Sequence, residues 1–67
     1  MRLVVNGATR ELPETVTLNS LLSEMGIDQP RGIAVAVDGE VVARGTWDRT
    51  RLRDGQRIKI LRAVQGG

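Results

Sequence analysis

The sequence closes with Ala63-Val64-Gln65-Gly66-Gly67, and the last two residues raise the chemical question. If Gly67 is the end of the polypeptide, its tip is an α-carboxylate with an ordinary pKa of about 3.3–3.7. A carboxylate is a poor electrophile. Adenylation would make it a good one, because AMP is a competent leaving group. Glycine has no Cβ to clash and little restriction on φ, so a Gly-Gly segment can thread a narrow cleft. The same pair also suits a flexible linker or a frayed terminus. On these residues alone both readings stand.

The rest of the composition offers little other chemistry. There is no His, Cys or Tyr. The usual general bases and nucleophiles are therefore missing, along with disulfides and the common zinc ligands. The eight Asp and Glu residues form no evident catalytic pair. A chain of 67 residues makes one domain that buries only about 60% of its unfolded surface. A self-contained enzyme with its own pocket is not expected. The net charge is +2, and nine of the ten basic residues are Arg; a balance this small speaks to solubility more than to a partner. No apolar run approaches ~20 residues. The opening Met1-Arg2-Leu3-Val4-Val5 reads as a strand rather than a signal peptide. A cytoplasmic location is the expectation.

Any tail needs a body to present it. Leu3–Val5 and Thr9–Leu12 flank Asn6-Gly7, the strongest short hairpin signal, since both central residues of a type I′ turn need positive φ. A strict two-residue turn would put Arg10 opposite Leu3, so a bulge or longer turn also fits. Leu18, Leu21, Leu22 and Met25 recur with helical spacing. Thr17 is placed to cap that helix, Val16 and Leu21 to staple its entry, and Gly26 to end it. A loop follows over Asp28–Gly32. Ile33, Val35 and Val37 alternate with small residues before an Asp38-Gly39 turn, and Val41-Val42 return in a short strand that Gly45 closes. The stretch from Thr46 reads as irregular, with a turn at Asp54-Gly55. In the last strand Ile58 and Ile60 point one way, Arg57, Lys59 and Leu61 the other. The order is strand, strand, helix, strand, short strand, strand: an α+β layer pair, four to five strands of mixed sheet on one helix, with the final strand central.

Three further features carry alternatives. Trp47, the sole aromatic residue, fits the core better than an interface in a chain so short of large side chains. Arg49, Arg51, Arg53, Arg57 and Arg62 crowd the last third. A solvated face accounts for them best, a surface for an acidic partner next, and RNA last, because no Phe or Tyr is present for base stacking. Leu61 is either an apolar contact beside the tail or is buried at the sheet's end.

These stretches together resemble the ubiquitin-like β-grasp sulfur carriers, and most closely the thiamin-pathway ThiS family. The resemblance runs through "LVVNG", "TLNSLL", "GIAVAVDGEVVARGTW", "LRDGQRIKI" and "AVQGG". The middle stretch, with Arg44 and Trp47 at this spacing, is the most specific. Ala43 stands where family members commonly have Pro, and Gln56 where they have an acidic residue. The resemblance implies a β-grasp domain over residues 1–62, a flexible tail over residues 63–67, and a monomer when free. It implies a protein co-substrate rather than an enzyme. A ubiquitin-activating-type adenylyltransferase (ThiF-like) would bind the sheet and thread Val64, Gln65 and Gly66 into its ATP site. Lys59, Leu61 and Arg62 are the implied contact surface. The Gly67 carboxylate would be adenylated with the partner's ATP and magnesium, then converted to a thiocarboxylate by a persulfide donor. A thiazole synthase (ThiG-like) would take the sulfur. The chain itself would bind no cofactor, metal, nucleic acid or membrane. Carriage for molybdopterin, cysteine or tungsten-cofactor synthesis is the alternative within this class. A β-grasp RNA-binding module is the alternative outside it, and would not need Gly66-Gly67.

Overall fold

The computed structural model describes residues 1–13, 16–27 and 31–62. Strands β1 (Arg2–Val5) and β2 (Ala8–Glu11) precede helix α1 (Leu18–Glu24). Strands β3 (Ile33–Val37) and β4 (Glu40–Val42), a 3₁₀ helix (Arg44–Arg49) and strand β5 (Arg57–Arg62) follow. The five strands form one sheet in the order β2-β1-β5-β3-β4. β5 runs parallel to β1 and antiparallel to β3, so the last strand is central and the sheet is mixed. This is the β-grasp arrangement that the resemblance implies.

Both hairpins close on two residues. Asn6 and Gly7 have φ of 50° and 84°, and Asp38 and Gly39 have 51° and 85°. Positive φ at both central positions is the type I′ geometry, whose twist matches that of the flanking strands. The first register is therefore strict, with Leu3 opposite Arg10 and no bulge. The second strand of this pair begins at Ala8 and ends at Glu11, one residue earlier at each end than its β-rich run indicates. Arg10 tolerates the helix-side face because β2 is an edge. Its guanidinium reaches to 4.0 Å from Glu24 on α1.

The helix is short and closed at both ends. Thr17 Oγ1 accepts a hydrogen bond from Ser20 N–H at 3.1 Å, the expected N-cap. The Leu18 N–H, another orphan of the first turn, donates to Thr50 O at 2.8 Å. At the other end Gly26 sits at φ 84°. Its N–H donates to Ser23 O at 3.0 Å and the Ile27 N–H to Leu22 O at 2.9 Å. That pair of bonds is a Schellman motif, and the left-handed residue it requires is why the helix stops at a glycine.

Leu18, Leu21 and Leu22 of the helix pack against Leu3, Val5, Val35 and Ile58 of the sheet, with Leu12, Trp47 and Leu52 completing the buried cluster. Trp47 is a core residue, as its size favoured; its Nε1–H donates to Val42 O at 3.0 Å, which satisfies the one polar group it buries. The route to it differs from the sequence expectation. The return strand stops at Val42, not at Gly45, and Arg44–Arg49 is a 3₁₀ helix rather than irregular chain. Thr46 Oγ1 and Thr50 Oγ1 donate to Ala43 O and Thr46 O, both at 2.7 Å. These side-chain bonds hold a turn that the apolar pattern does not announce, and they swing Trp47 beneath the helix.

The two departures from the family pattern have local explanations. Gln56 Oε1 accepts from Arg53 N–H at 2.7 Å across the Asp54-Gly55 turn, a bond that a carboxylate oxygen in its place could also accept. Ala43 has φ −62° and ψ 135°, values proline adopts without strain. In this hairpin Val37–Glu40 and Val35–Val42 are the hydrogen-bonded pairs, so the Ala43 N–H points away from β3. Ala43→Pro is therefore expected to stabilise the fold by about 0.4–1 kcal/mol through the unfolded chain. A melting midpoint a few degrees higher in calorimetry is the check; a lower one would show that the N–H has a role.

Candidate functional site

The sheet has two unlike faces. Residues pointing to the helix are buried or half-buried: Leu3, Val5, Val35, Val37, Ile58 and Ile60. The outer face is set by the alternate positions, and the register assembles it. Leu61 lies opposite Ala34, Lys59 opposite Ala36, and Ala36 in turn opposite Val41. The two alanines are too small to shield their neighbours. Leu61 is left 55% exposed and Val41 78% exposed, the two large apolar side chains on the described surface. This resolves the Leu61 alternatives in favour of exposure. A large exposed aliphatic on each of two strands of one face is a feature that interaction surfaces use.

The three implied contact residues are not all on that face. Lys59 and Leu61 share it. Arg62 pairs with Ile33, a helix-side position, so it is exposed on the opposite side of β5. Toward the start of β5 the outer face dips into an open concavity lined by Val4, Ala36, Arg57, Lys59 and the turn glycines Gly7 and Gly39. Two cations border it. Neither Arg57 nor Lys59 forms a salt bridge among the described residues, whereas Arg2 at the far edge is paired with Glu11 at 2.7 Å. That hydrogen bond and the carboxylate's charge raise the already high pKa of Arg2, so its charge is constant over any working pH. An aliphatic patch beside uncompensated cations suits a partner with carboxylates around an apolar centre.

The remaining arginines do not join this patch. Arg49 is on the 3₁₀ helix beside Asp48, Arg51 bridges to Thr17 at the helix start, and Arg53 precedes the Asp54-Gly55 turn. Spread over separate elements, they make a solvated surface more readily than a nucleic-acid track. Among the described residues no cluster of acidic side chains could hold a metal, and no helix is long and apolar enough to cross a membrane. Val64, Gln65, Gly66 and Gly67 lie outside the described residues.

Two features here were not singled out in the sequence. Val41 had a legible signal: adjacent Val41 and Val42 in a strand must face opposite ways, so one must be exposed. Asn6 had none beyond its turn. Its side chain crosses to β5, with Oδ1 accepting from Ile60 N–H at 2.7 Å and Nδ2 donating to Ile60 O at 3.2 Å.

Comparison with known proteins places these features in context. The ThiS family model matches residues 3–67. A thiamine biosynthesis protein (ThiS) from Geobacter metallireducens has a crystal structure that superposes with a TM-score of 0.85 at 32% identity, covering 100% of both chains. An NMR solution structure from that organism gives 0.81 at 33% identity, over 100% of this chain and 88% of the other. A thiazole synthase from Paramagnetospirillum magneticum is 33% identical over all 67 residues, but the chain spans only 20% of that relative's length.

If Val41 and Leu61 serve a partner rather than the fold, replacing them should cost little. Val41→Thr keeps a β-branched side chain and Leu61→Thr introduces one, and both are expected to shift unfolding free energy by no more than about 0.5 kcal/mol each. Urea denaturation reads this directly, and a loss several times larger would return them to the core.

Proposed function

The chain belongs to the ThiS family, and from that premise we propose that it is a sulfur carrier for thiazole formation in thiamin biosynthesis, with Gly67 as the atom-bearing residue. The supporting observation is that the family match runs from residue 3 through Gly66 and Gly67, and not merely over a shared fold. One fold hosts many functions, so a match confined to the body would say less.

The division of labour follows from what this chain lacks. With no His, Cys or Tyr, it supplies a recognisable body and a modifiable end, and its partners supply the catalysis. An adenylyltransferase brings ATP and magnesium. The Gly67 carboxylate attacks the α-phosphate, pyrophosphate leaves, and an acyl-adenylate forms. The terminal sulfur of a cysteine persulfide then displaces AMP to give an acyl disulfide. A second thiol breaks the S–S bond and leaves the thiocarboxylate. Gly66 and Gly67, with Gln65 and Val64 behind them, thread the cleft because no side chain at the tip blocks it. Lys59, Leu61 and Val41 on the outer face dock the body, and Arg62 contacts the partner from the other side of β5.

The thiazole branch is favoured over other sulfur-transfer pathways by the relative called a thiazole synthase. A polypeptide that carries a stretch like this chain within one fifth of its length joins a carrier-like domain to the named enzyme. We take a thiazole synthase to be the sulfur acceptor here.

Intact-mass spectrometry tests the reading. Incubation with the cognate adenylyltransferase, ATP and a persulfide source, with a thiol reductant, is expected to replace one oxygen of the chain by sulfur. Gly67→Ala should slow this by about 10²-fold, the scale of a 1 Å misplacement at a reacting centre. An extra residue after Gly67 should abolish it. An unmodified wild-type chain beside demonstrably active partners would sink the proposal.

A further inference from the structure

β5 is held differently on its two sides. Toward β3 the backbone ladder continues to the strand's last residue, with Ala34 opposite Leu61 and Ile33 opposite Arg62. Toward β1 it stops early. The Val4 N–H donates to Gln56 O at 3.0 Å and the Asn6 N–H to Ile58 O at 2.9 Å, and then the chain turns away at Asn6-Gly7. A parallel ladder bonds every second residue of a strand to the same neighbour. Ile60 is the next residue of β5 that faces β1, and β1 has no backbone left to offer it.

The carboxamide of Asn6 fills that position. Its oxygen takes the Ile60 N–H at 2.7 Å and its NH₂ gives a bond to the Ile60 carbonyl at 3.2 Å. The side chain thus behaves as one more peptide unit of β1. The same residue must also stand at φ 50° for the turn, a conformation that Asn and Gly accept far more readily than other residues. Asp would keep the turn but present a carboxylate oxygen to the Ile60 carbonyl. Gly would keep the turn and offer nothing. Asp38, at the same place in the other type I′ turn, needs only to accept from Arg57 N–H, at 2.9 Å, while its own N–H serves Arg57 O. The difference between Asn and Asp at these two turns matches the bonds each makes.

We infer that Asn6 is a positioning residue for the reacting end of the chain: by bonding both polar groups of Ile60 it fixes the last residues of β5, Ile60 to Arg62, immediately before the C-terminal residues. This rests on the reading of Gly67 as the modified residue. Its contribution is to the binding of the carrier by the adenylyltransferase, since a strand end already held at Ile60 has less freedom to lose when the partner engages it.

The test compares the wild-type chain, Asn6→Gly, Asn6→Asp and Thr17→Ala. The last loses the helix N-cap on the far layer and serves as the destabilised control. Amide hydrogen exchange by NMR is expected to quicken at Ile60 in Asn6→Gly, which offers no acceptor, while Ile58 is little changed. With the cognate adenylyltransferase, pyrophosphate release should show a KM for the carrier raised about five- to tenfold in Asn6→Gly, the loss of one to two net hydrogen bonds. kcat at saturation should be nearly unchanged, and Asn6→Asp should be no better than Asn6→Gly. Thr17→Ala should lower the melting temperature and leave KM as in wild type. Equal KM in Asn6→Gly and wild type, or Ile60 exchange that does not change, would overturn the inference. A wild-type chain that is never activated would instead defeat the sulfur-carrier reading, and exchange at Ile60 would still decide whether the clamp exists.

Discussion

The pairing of β5 on both its edges is the constraint on which the rest of this structure depends. Every other strand has at most one neighbour besides it, and β1 and β3 meet only through it. Its partners lie far away in sequence: Asn6 bonds Ile60 across 54 residues, and Asp54, just before the strand, takes the Arg2 N–H across 52. Both hairpin turns spend their first residue on it, as does the Asp54-Gly55 turn on β1. Side chains chosen for turn geometry thus also tie the sheet together. In a domain with no cysteine, and with ten buried side chains in the core among the described residues, such double use substitutes for size.

That arrangement also separates the two jobs of the molecule. Ile58 faces the helix and contributes to the core, while Lys59 and Leu61, one and three residues on, face outward. One strand therefore carries core on one face and exposed side chains on the other, and leads to the C-terminal residues. The small residues of β3 complete the division. Ala34 and Ala36 leave the outer face open just where Val35, between them, is fully buried.

Much of this was legible in the residues. The hairpin at Asp38-Gly39, the capped helix from Thr17 to Gly26 and the central last strand follow from turn chemistry and periodicity that no tertiary contact opposes. Where the reading was incomplete, a tertiary term had intervened. Arg10 opposite Leu3 looked like a register error, but an edge strand lets a long side chain escape to Glu24. Thr46–Arg49 looked irregular because the 3₁₀ turns there are held by threonine hydroxyls and by the burial of Trp47, not by an apolar stripe. Asn6 announced its turn and concealed its bond to Ile60, since nothing local specifies a contact with a residue 54 positions on. The exposed pair, Val41 and Leu61, was half visible: alternation predicts which way each points, but not that alanines beside them leave both uncovered.

The central place of β5 has a consequence for how the polypeptide comes to be folded at all. Translation proceeds from the N-terminus, and until residues beyond Arg57 have left the ribosome the sheet exists only as two separate hairpins. Two-stranded hairpins are marginal on their own, and pairings this distant in sequence form slowly. The nascent chain must therefore remain open through most of its synthesis. A fragment truncated before β5 would not be a smaller fold, because the strand that leads to the C-terminal residues is also the one that makes the domain.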